Sequence, residues 1–505
     1  MNANLFARLQ SAVRDDAAIA ITDAGGQVYT YGDLAALSGR LANVLVSEGV
    51  KPGDRVAVQV EKSVNALALY LATVRAGAVF LPLNTAYTLA EIDYFVGDAE
   101  PSLIVCDPTV QTGMAAIAGR VGASVKTLDP AGDGSLASAA ATSSPEFETV
   151  QRDGNDLAAI LYTSGTTGRS KGAMLSHDNL VSNALSLIDA WHYTADDTLI
   201  HALPIYHTHG LFVATNVTLF SGASMIFLAK FDRDQILDHM ANATVLMGVP
   251  TFYVRLLQSP RLAEATAGMR LFISGSAPLL AETHIEWSKR TGHAILERYG
   301  MTETNMNTSN PYDGERIPGT VGLPLPGVSV RITNPEDGSA LGVNEIGMIE
   351  VKGPNVFQGY WRMPEKTAAE LRENGFFITG DLGKIDERGY VHILGRGKDL
   401  VITGGFNVYP KEVEEEIDAI EGVSESAVIG LPHKDFGEGV TAVVVRTAQS
   451  AATEATILDI IGERLAKFKL PKRVLFVDEL PRNTMGKVQK NVLRDQFREL
   501  YSNAS

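Results

Sequence analysis

The chain of 505 residues contains one cysteine, three tryptophans and an aromatic share of 7%. A single Cys106 rules out an internal disulfide, so the fold must be held by its core alone, and a reducing compartment suits it. Cys106 sits in the apolar run Ser-Leu-Ile-Val-Cys-Asp with no basic neighbour in sequence to activate a thiolate, which reads as a core strand and not as a nucleophile. Positive charge is also scarce: 43 Lys and Arg stand against 59 Asp and Glu, for a formal charge of −16. A field of that sign repels nucleic acid and anionic membranes, so neither is expected as a partner. No apolar run is long enough to span a bilayer without interruption. The best, Ala66 to Leu83, is broken by Arg75 and Gly77. The first ten residues lack the basic-then-apolar layout of a signal peptide, and the expected location is cytoplasmic.

The length exceeds what one hydrophobic core supports, so two or more domains are expected. From Arg55 onward short β-rich runs alternate with helical periods: strands at 56–60, 78–81 and 102–106, helices at 64–75 and 89–97. That alternation predicts parallel βαβ units. It resumes at 157–161, 199–203, 224–228, 244–248 and 270–274, so two doubly wound sheets are expected. Gly- and Pro-punctuated runs such as 328–332 and 347–352 predict a smaller β-rich subdomain. Past Gly395 the chain reads as a compact α+β unit, with strands at 426–431, 441–446 and 474–477 and helices starting near Pro410 and Thr453. The fold class is therefore α/β, with domains at 1–395 and 396–505.

The stretch Tyr162 to Gly172 carries the first chemical signal. After the apolar run 157–161 come Thr163, Ser164, Gly165, Thr166, Thr167, Gly168 and, three residues on, Lys171. A loop so rich in Gly, Ser and Thr offers backbone N–H groups, hydroxyls and one cation to an anion, and a phosphate chain is the expected guest. A plain surface turn is the alternative. It is not a Walker A sequence, since Ser170 stands where that motif needs Gly-Lys. Three other segments follow predicted strands, where open α/β sheets collect ligands: Pro204 to Gly210, Val249 to Arg255 and Gly275 to Pro278.

Taken in order, the 163–172 loop, Tyr299-Gly300-Met301-Thr302-Glu303, Thr379-Gly380-Asp381, Gly395-Arg396-Gly397-Lys398-Asp399 and Pro481-Arg482-Asn483-Thr484-Met485-Gly486-Lys487 resemble the successive motifs of the ANL superfamily of adenylate-forming enzymes. The resemblance spans nearly the whole chain. It implies a large N-terminal domain, a small mobile C-terminal domain, and two half-reactions: a carboxylate attacks the α-phosphorus of ATP, then the thiolate of coenzyme A displaces AMP. It further implies that the loop holds the β- and γ-phosphates, that Glu303 associates with magnesium, and that Gly275, Ser276 and Ala277 with Glu297 to Thr302 wall the adenine. Asp381 would accept the ribose hydroxyls and Arg396 would contact the nucleotide. Lys487 would bridge carboxylate and α-phosphate, Lys398 would be the hinge, and Gly404-Gly405 would approach the thioester site. Taken without their motifs, Glu303, Asp381, Arg396 and Lys487 read as ordinary surface charges.

Between Ile461 and Lys490 stand eight basic residues and three acidic ones, a local field suited to ATP and coenzyme A in an acidic protein. The acid itself is read from Val249 to Arg255, Leu296 to Thr304 and the segment holding His207, which together resemble malonyl-CoA synthetases. Arg255 would pair a second carboxylate bidentately, with Arg298 a further cationic candidate, methylmalonate tolerated beside malonate, and His207 lining the carboxylate and thiol entrance. An outward-facing Arg255 paired with a surface acid is the alternative for that residue. Two other functions stay open: a synthetase for another short or medium acid, and a non-catalytic nucleotide or acyl sensor of the same fold. Acylation of Lys487 by a protein lysine acyltransferase, reversed by a deacylase, would erase its charge and serve as an off-switch.

Overall fold

The structure, a computed structural model, describes residues 2–163, 170–403, 406–483 and 486–501. Two sheets carry the larger body. In the six-stranded sheet, Ser124–Thr127, Leu103–Cys106, Arg55–Gln59, Val79–Pro82 and Leu157–Thr163 run parallel, and Lys171–Ser176 closes one edge antiparallel. In the nine-stranded sheet, Ile19–Asp23, Ser224–Phe227, Thr198–His201, Val245–Gly248, Leu271–Ser274 and Leu296–Met301 lie parallel, and antiparallel strands finish both edges. The expected strands match these elements to within two residues at each end.

The apolar stretch that opened the membrane question is the helix Val64–Arg75, capped by Ser63 accepting from Ala66 N–H, followed by the buried strand Val79–Pro82. It is apolar on every side because it is covered on every side; all its residues but Asn65 are buried. Arg75 survives there because its guanidinium donates to the Ala35 carbonyl (2.8 Å), Ser38 Oγ (3.1 Å) and the Phe147 carbonyl (2.7 Å). Cys106 is buried in its strand, and burial pushes its thiol up to about 11, which leaves it inert. Among the described residues no helix is long and apolar enough to cross a membrane.

A four-stranded antiparallel sheet, Ser329–Thr333, Gly347–Lys352, Phe377–Ile385 and Val391–Arg396, follows. The C-terminal part builds its own sheet from Val401–Thr403, Phe406–Val408, Val423–His433, Gly437–Arg446 and Arg473–Val477, with separate cores on its two faces. The connection between the two bodies is tethered on both sides. Arg396 Nε lies 2.9 Å from Asp381 Oδ1 and its Nη1 donates to the Thr379 carbonyl at 3.2 Å, while Asp399 pairs with Arg494 of the C-terminal helix Lys490–Phe497.

Candidate active site

The site gathers where the parallel strands end. Leu271–Ser274 delivers Gly275, Ser276 and Ala277; Thr198–His201 delivers the loop to His209; Val245–Gly248 leads into the helix Pro250–Leu257; Leu296–Met301 carries Glu297 to Met301 itself. Ser276 holds a left-handed backbone, φ 74°, and its hydroxyl lies 3.1 Å from His209 Nδ1. A strained, non-glycine residue at the tip of a strand is a mark of a site held by its surroundings.

Arg298 is the unusual residue. It is 4% exposed, and among the described residues its Nε and Nη2 have no hydrogen-bond partner and no carboxylate pairs with it. Burial pushes it down to about 9, with Tyr253 alone acting the other way. Its guanidinium lies directly against Gly275, where an added Cβ would stand 2.4 Å from Cζ. Beside it, burial holds His209 well below the ordinary histidine range, helped by the nearby Arg298 charge. Burial and then Lys487 bring His207 to about 4. Both imidazoles are therefore neutral at pH 7, and the Nε2 atoms of both are buried without a partner among the described residues.

Lys487 reaches this group from the C-terminal body. Its loop seats on the first turn of Pro250–Leu257: a Cβ on Gly486 would lie 3.6 Å from Thr251 Cγ2. Lys487 as a whole residue is exposed. The ammonium at its end is desolvated, and that, then Arg396, lowers its pKa; Asp381 and Glu303 raise it and Arg298 lowers it. One lysine thus lies within the field of four charged residues of the cleft, Arg396, Asp381, Glu303 and Arg298.

Around it, Asp381 accepts from Tyr299 Oη at 2.5 Å and from Arg396 at 2.9 Å. Glu303 is buried, which raises its pKa, and accepts from Tyr360 Oη at 3.0 Å. Lys171 opens its strand with Nζ 4.0 Å from the Tyr360 ring centroid and 3.5 Å from Glu370 Oε2. Glu297 is buried, its Oε1 lies 3.9 Å from His284 Nδ1, and burial raises its pKa.

A match to the AMP-binding enzyme family covers residues 9–361, and one to the AMP-binding enzyme C-terminal domain covers residues 412–487. The chain belongs to the AMP-binding enzyme family. The malonate–CoA ligase of Arabidopsis thaliana is 35% identical over 93% of this chain and 85% of its own length. ATP-bound MatB from Rhodopseudomonas palustris is 71% identical, covering 99% of this chain and 100% of its own, with a TM-score of 0.98. The apo form of that protein gives 0.88 at the same identity and coverage.

Among the residues singled out from the sequence, this AMP-binding enzyme brings together His207, Gly275, Ser276, Glu297, Arg298, Tyr299, Glu303, Asp381, Arg396 and Lys487. Thr163 and Lys171 face each other across the paired strands Leu157–Thr163 and Lys171–Ser176; Ser164, Gly165, Thr166, Thr167 and Gly168 lie outside the described residues, as do Gly404 and Gly405. Gly300 and Met301 enter the hairpin to Asn305–Ser309, Thr302 is in its turn, and Ala277 follows Ser276. Lys398 is in the short 3-10 turn Gly397–Asp399. Arg255 stands apart: it is exposed on the helix Pro250–Leu257, its guanidinium 5.5 Å from the Phe231 ring centroid. Tyr360 was not foreseen, because an aromatic residue in Val-Phe-Gln-Gly-Tyr-Trp carries no sequence sign of a link between Glu303 and Lys171.

Proposed function

We infer that this enzyme joins malonate to coenzyme A: malonate and ATP give malonyl-adenylate and pyrophosphate, and the coenzyme A thiolate then displaces AMP. Arg298 carries the reading. A buried guanidinium without a counter-charge is costly in a finished protein, and a second carboxylate on the acid would complete it bidentately. The Arabidopsis relative, a malonate–CoA ligase, supports the same acid. Of the two arginines weighed from the sequence, Arg298 is the one assigned here; Arg255, exposed on its helix, is not enclosed with the reacting groups.

The proximal carboxylate would lie by His207 and the Lys487 ammonium. Lys487 neutralises the repulsion between that carboxylate and the α-phosphate as they close, which is the main barrier in a reaction between anions. Keeping His207 neutral leaves its unpartnered Nε2 free to hydrogen-bond the acid without a fixed charge. Asp381, oriented by Tyr299 and Arg396, receives the ribose hydroxyls, and Lys171 with the 163–168 segment receives the outer phosphates. Glu303 fits magnesium: an oxygen donor, buried, steadied by a phenol, with burial opposing its charge until a cation arrives. Magnesium would supply charge neutralisation at the β- and γ-oxygens. After adenylation the unit from Gly397 onward, turning about Lys398, would bring Gly404-Gly405 to the acyl group for thiol attack. Acylation of Lys487 by a lysine acyltransferase would remove the bridging charge.

The test is coenzyme A-dependent AMP release with malonate, methylmalonate, succinate, acetate and butyrate, for wild type, Arg298→Met and Arg255→Ala. Strong preference for malonate, abolished in Arg298→Met and kept in Arg255→Ala, is expected. Equal use of acetate by wild type overturns the assignment of the acid.

A further inference from the structure

Lys62 lies just past the strand Arg55–Gln59 of the six-stranded sheet and reaches across to the nine-stranded one. Its Nζ donates to the His201 carbonyl at 2.7 Å, lies 2.9 Å from His201 Nδ1, and sits 4.2 Å from the Phe227 ring centroid. His201 is fully buried, and its Nε2 is 2.9 Å from the Gly210 carbonyl. A carbonyl only accepts, so Nε2 carries the proton and Nδ1 turns its lone pair to Lys62. Desolvation of the ammonium lowers the Lys62 pKa well below the ordinary lysine value, while the Phe227 ring face favours the cation.

What this chain of contacts holds is the loop that bears His207. The loop leaves the strand at His201 and returns at Gly210, where the two limbs touch: a Cβ on Gly210 would stand 2.0 Å from the Pro204 carbonyl oxygen. Gly210 lies in the π-helical turn His209–Ala214, and its carbonyl also accepts from Thr215 Oγ1 at 2.9 Å. Such turns are rare and need local support. Behind the loop lies a cavity of about 260 Å³, lined by Lys62, by Ile205 and Tyr206 from the loop, and by Phe80 and Phe231 opposite. The loop therefore has room to retreat, and close packing does not restrain it on that side.

We propose that Lys62 is a positioning residue: through His201 it fixes both ends of the 201–210 loop and holds His207 against the reacting carboxylate. This deepens the malonate–CoA reading and rests on it. The role assigned to Lys62 and His201 is to set where His207 stands.

The experiment compares Lys62→Met, which keeps the length and loses the donor, with His201→Gln, which keeps a donor towards Gly210 and loses the lone pair facing Lys62, and with the double variant. Steady-state kinetics with malonate, ATP affinity and thermal unfolding are measured on each full-length protein. Each single variant is expected to lower kcat/KM for malonate about ten- to hundredfold, with ATP affinity within about twofold of wild type and the double variant no worse than the weaker single one. Multiplicative losses, a parallel loss of ATP affinity, or wild-type kinetics in Lys62→Met would overturn the proposal. Should Lys62→Met not fold, His201→Gln must show the same split by itself. If the wild type turns over another acid and not malonate, the substrate reading fails, and the same variants tested with that acid still decide the role of Lys62.

Discussion

Arg298 lies flat against Gly275, so close that no larger residue fits beneath the guanidinium: a Cβ there would meet Cζ at 2.4 Å and Nε and Nη1 at 2.6 Å. The glycine at the end of Leu271–Ser274 is thus a seat for the cation. Gly275→Ala is expected to push the guanidinium out of register and raise KM for malonate at least about tenfold, with a smaller change for any monocarboxylate the enzyme turns over. Initial rates across malonate concentration check this, and an unchanged KM would show that the arginine does not hold the acid.

The same cation weakens the empty protein. Replacing an unpaired buried charge by an apolar side chain of similar length is expected to stabilise, by about 1–4 kcal/mol. Arg298→Met should therefore unfold at a higher temperature than wild type without ligand. Malonate should raise the wild-type midpoint and leave that of the variant where it was, since only a ligand bound by the native state shifts it. Scanning calorimetry with malonate, acetate and no ligand tests both halves, and a variant less stable than wild type would contradict the unpaired state of Arg298.

Most of this architecture was legible because its signals are local. Alternating β-rich and helical periods placed the parallel strands, and helix Val64–Arg75 was bounded by Ser63 and Gly77 as caps and breakers are. The site was legible only as pieces. Nothing in the sequence distinguishes Arg255 from Arg298: both are arginines near strand ends, and burial separates them, one exposed beside Phe231 and the other enclosed against Gly275. Lys62 and His201 are 139 residues apart, and their pairing depends on two sheets meeting. Tyr299 to Thr302 was expected within a binding wall, but its continuation into the hairpin with Asn305–Ser309 comes from strand pairing and not from periodicity.

Lys487 is asked to act in one half-reaction only. Lys487→Ala is expected to slow malonate-dependent pyrophosphate release by about a hundredfold or more, yet leave the transfer of a supplied malonyl-adenylate to coenzyme A within a few fold of wild type. Measuring the two steps separately decides it. Equal losses in both would mean that the lysine serves folding or both reactions.

The histidines set an acid limit on the fold. His177 accepts from Leu5 N–H through Nδ1 at 3.0 Å, and burial brings it to about 4; His207 is also brought to about 4 by burial and by Lys487. With an ordinary unfolded value near 6.5, the unfolded chain binds more protons than the native one below that pH. Stability is thus full above about 6.5 and falls as pH drops towards 4. Thermal midpoints at pH 7, 6, 5 and 4 should decline in that window. His177→Gln should flatten part of the decline, and a midpoint constant down to pH 4 would refute the neutral assignment.

Arg396 is fastened to Asp381 and Thr379 on one body, and Asp399 to Arg494 on the other, with Gly397 and Lys398 alone between the two moorings. Two residues have four soft backbone torsions. Any swing of the small body is confined to those angles, so it behaves as a swivel on a short axle and cannot spread into a gradual bend. A cross-link at this spot, or a proline that removes one of those four torsions, would restrict such a swing without replacing a residue assigned to substrate binding, so motion could be separated from chemistry there.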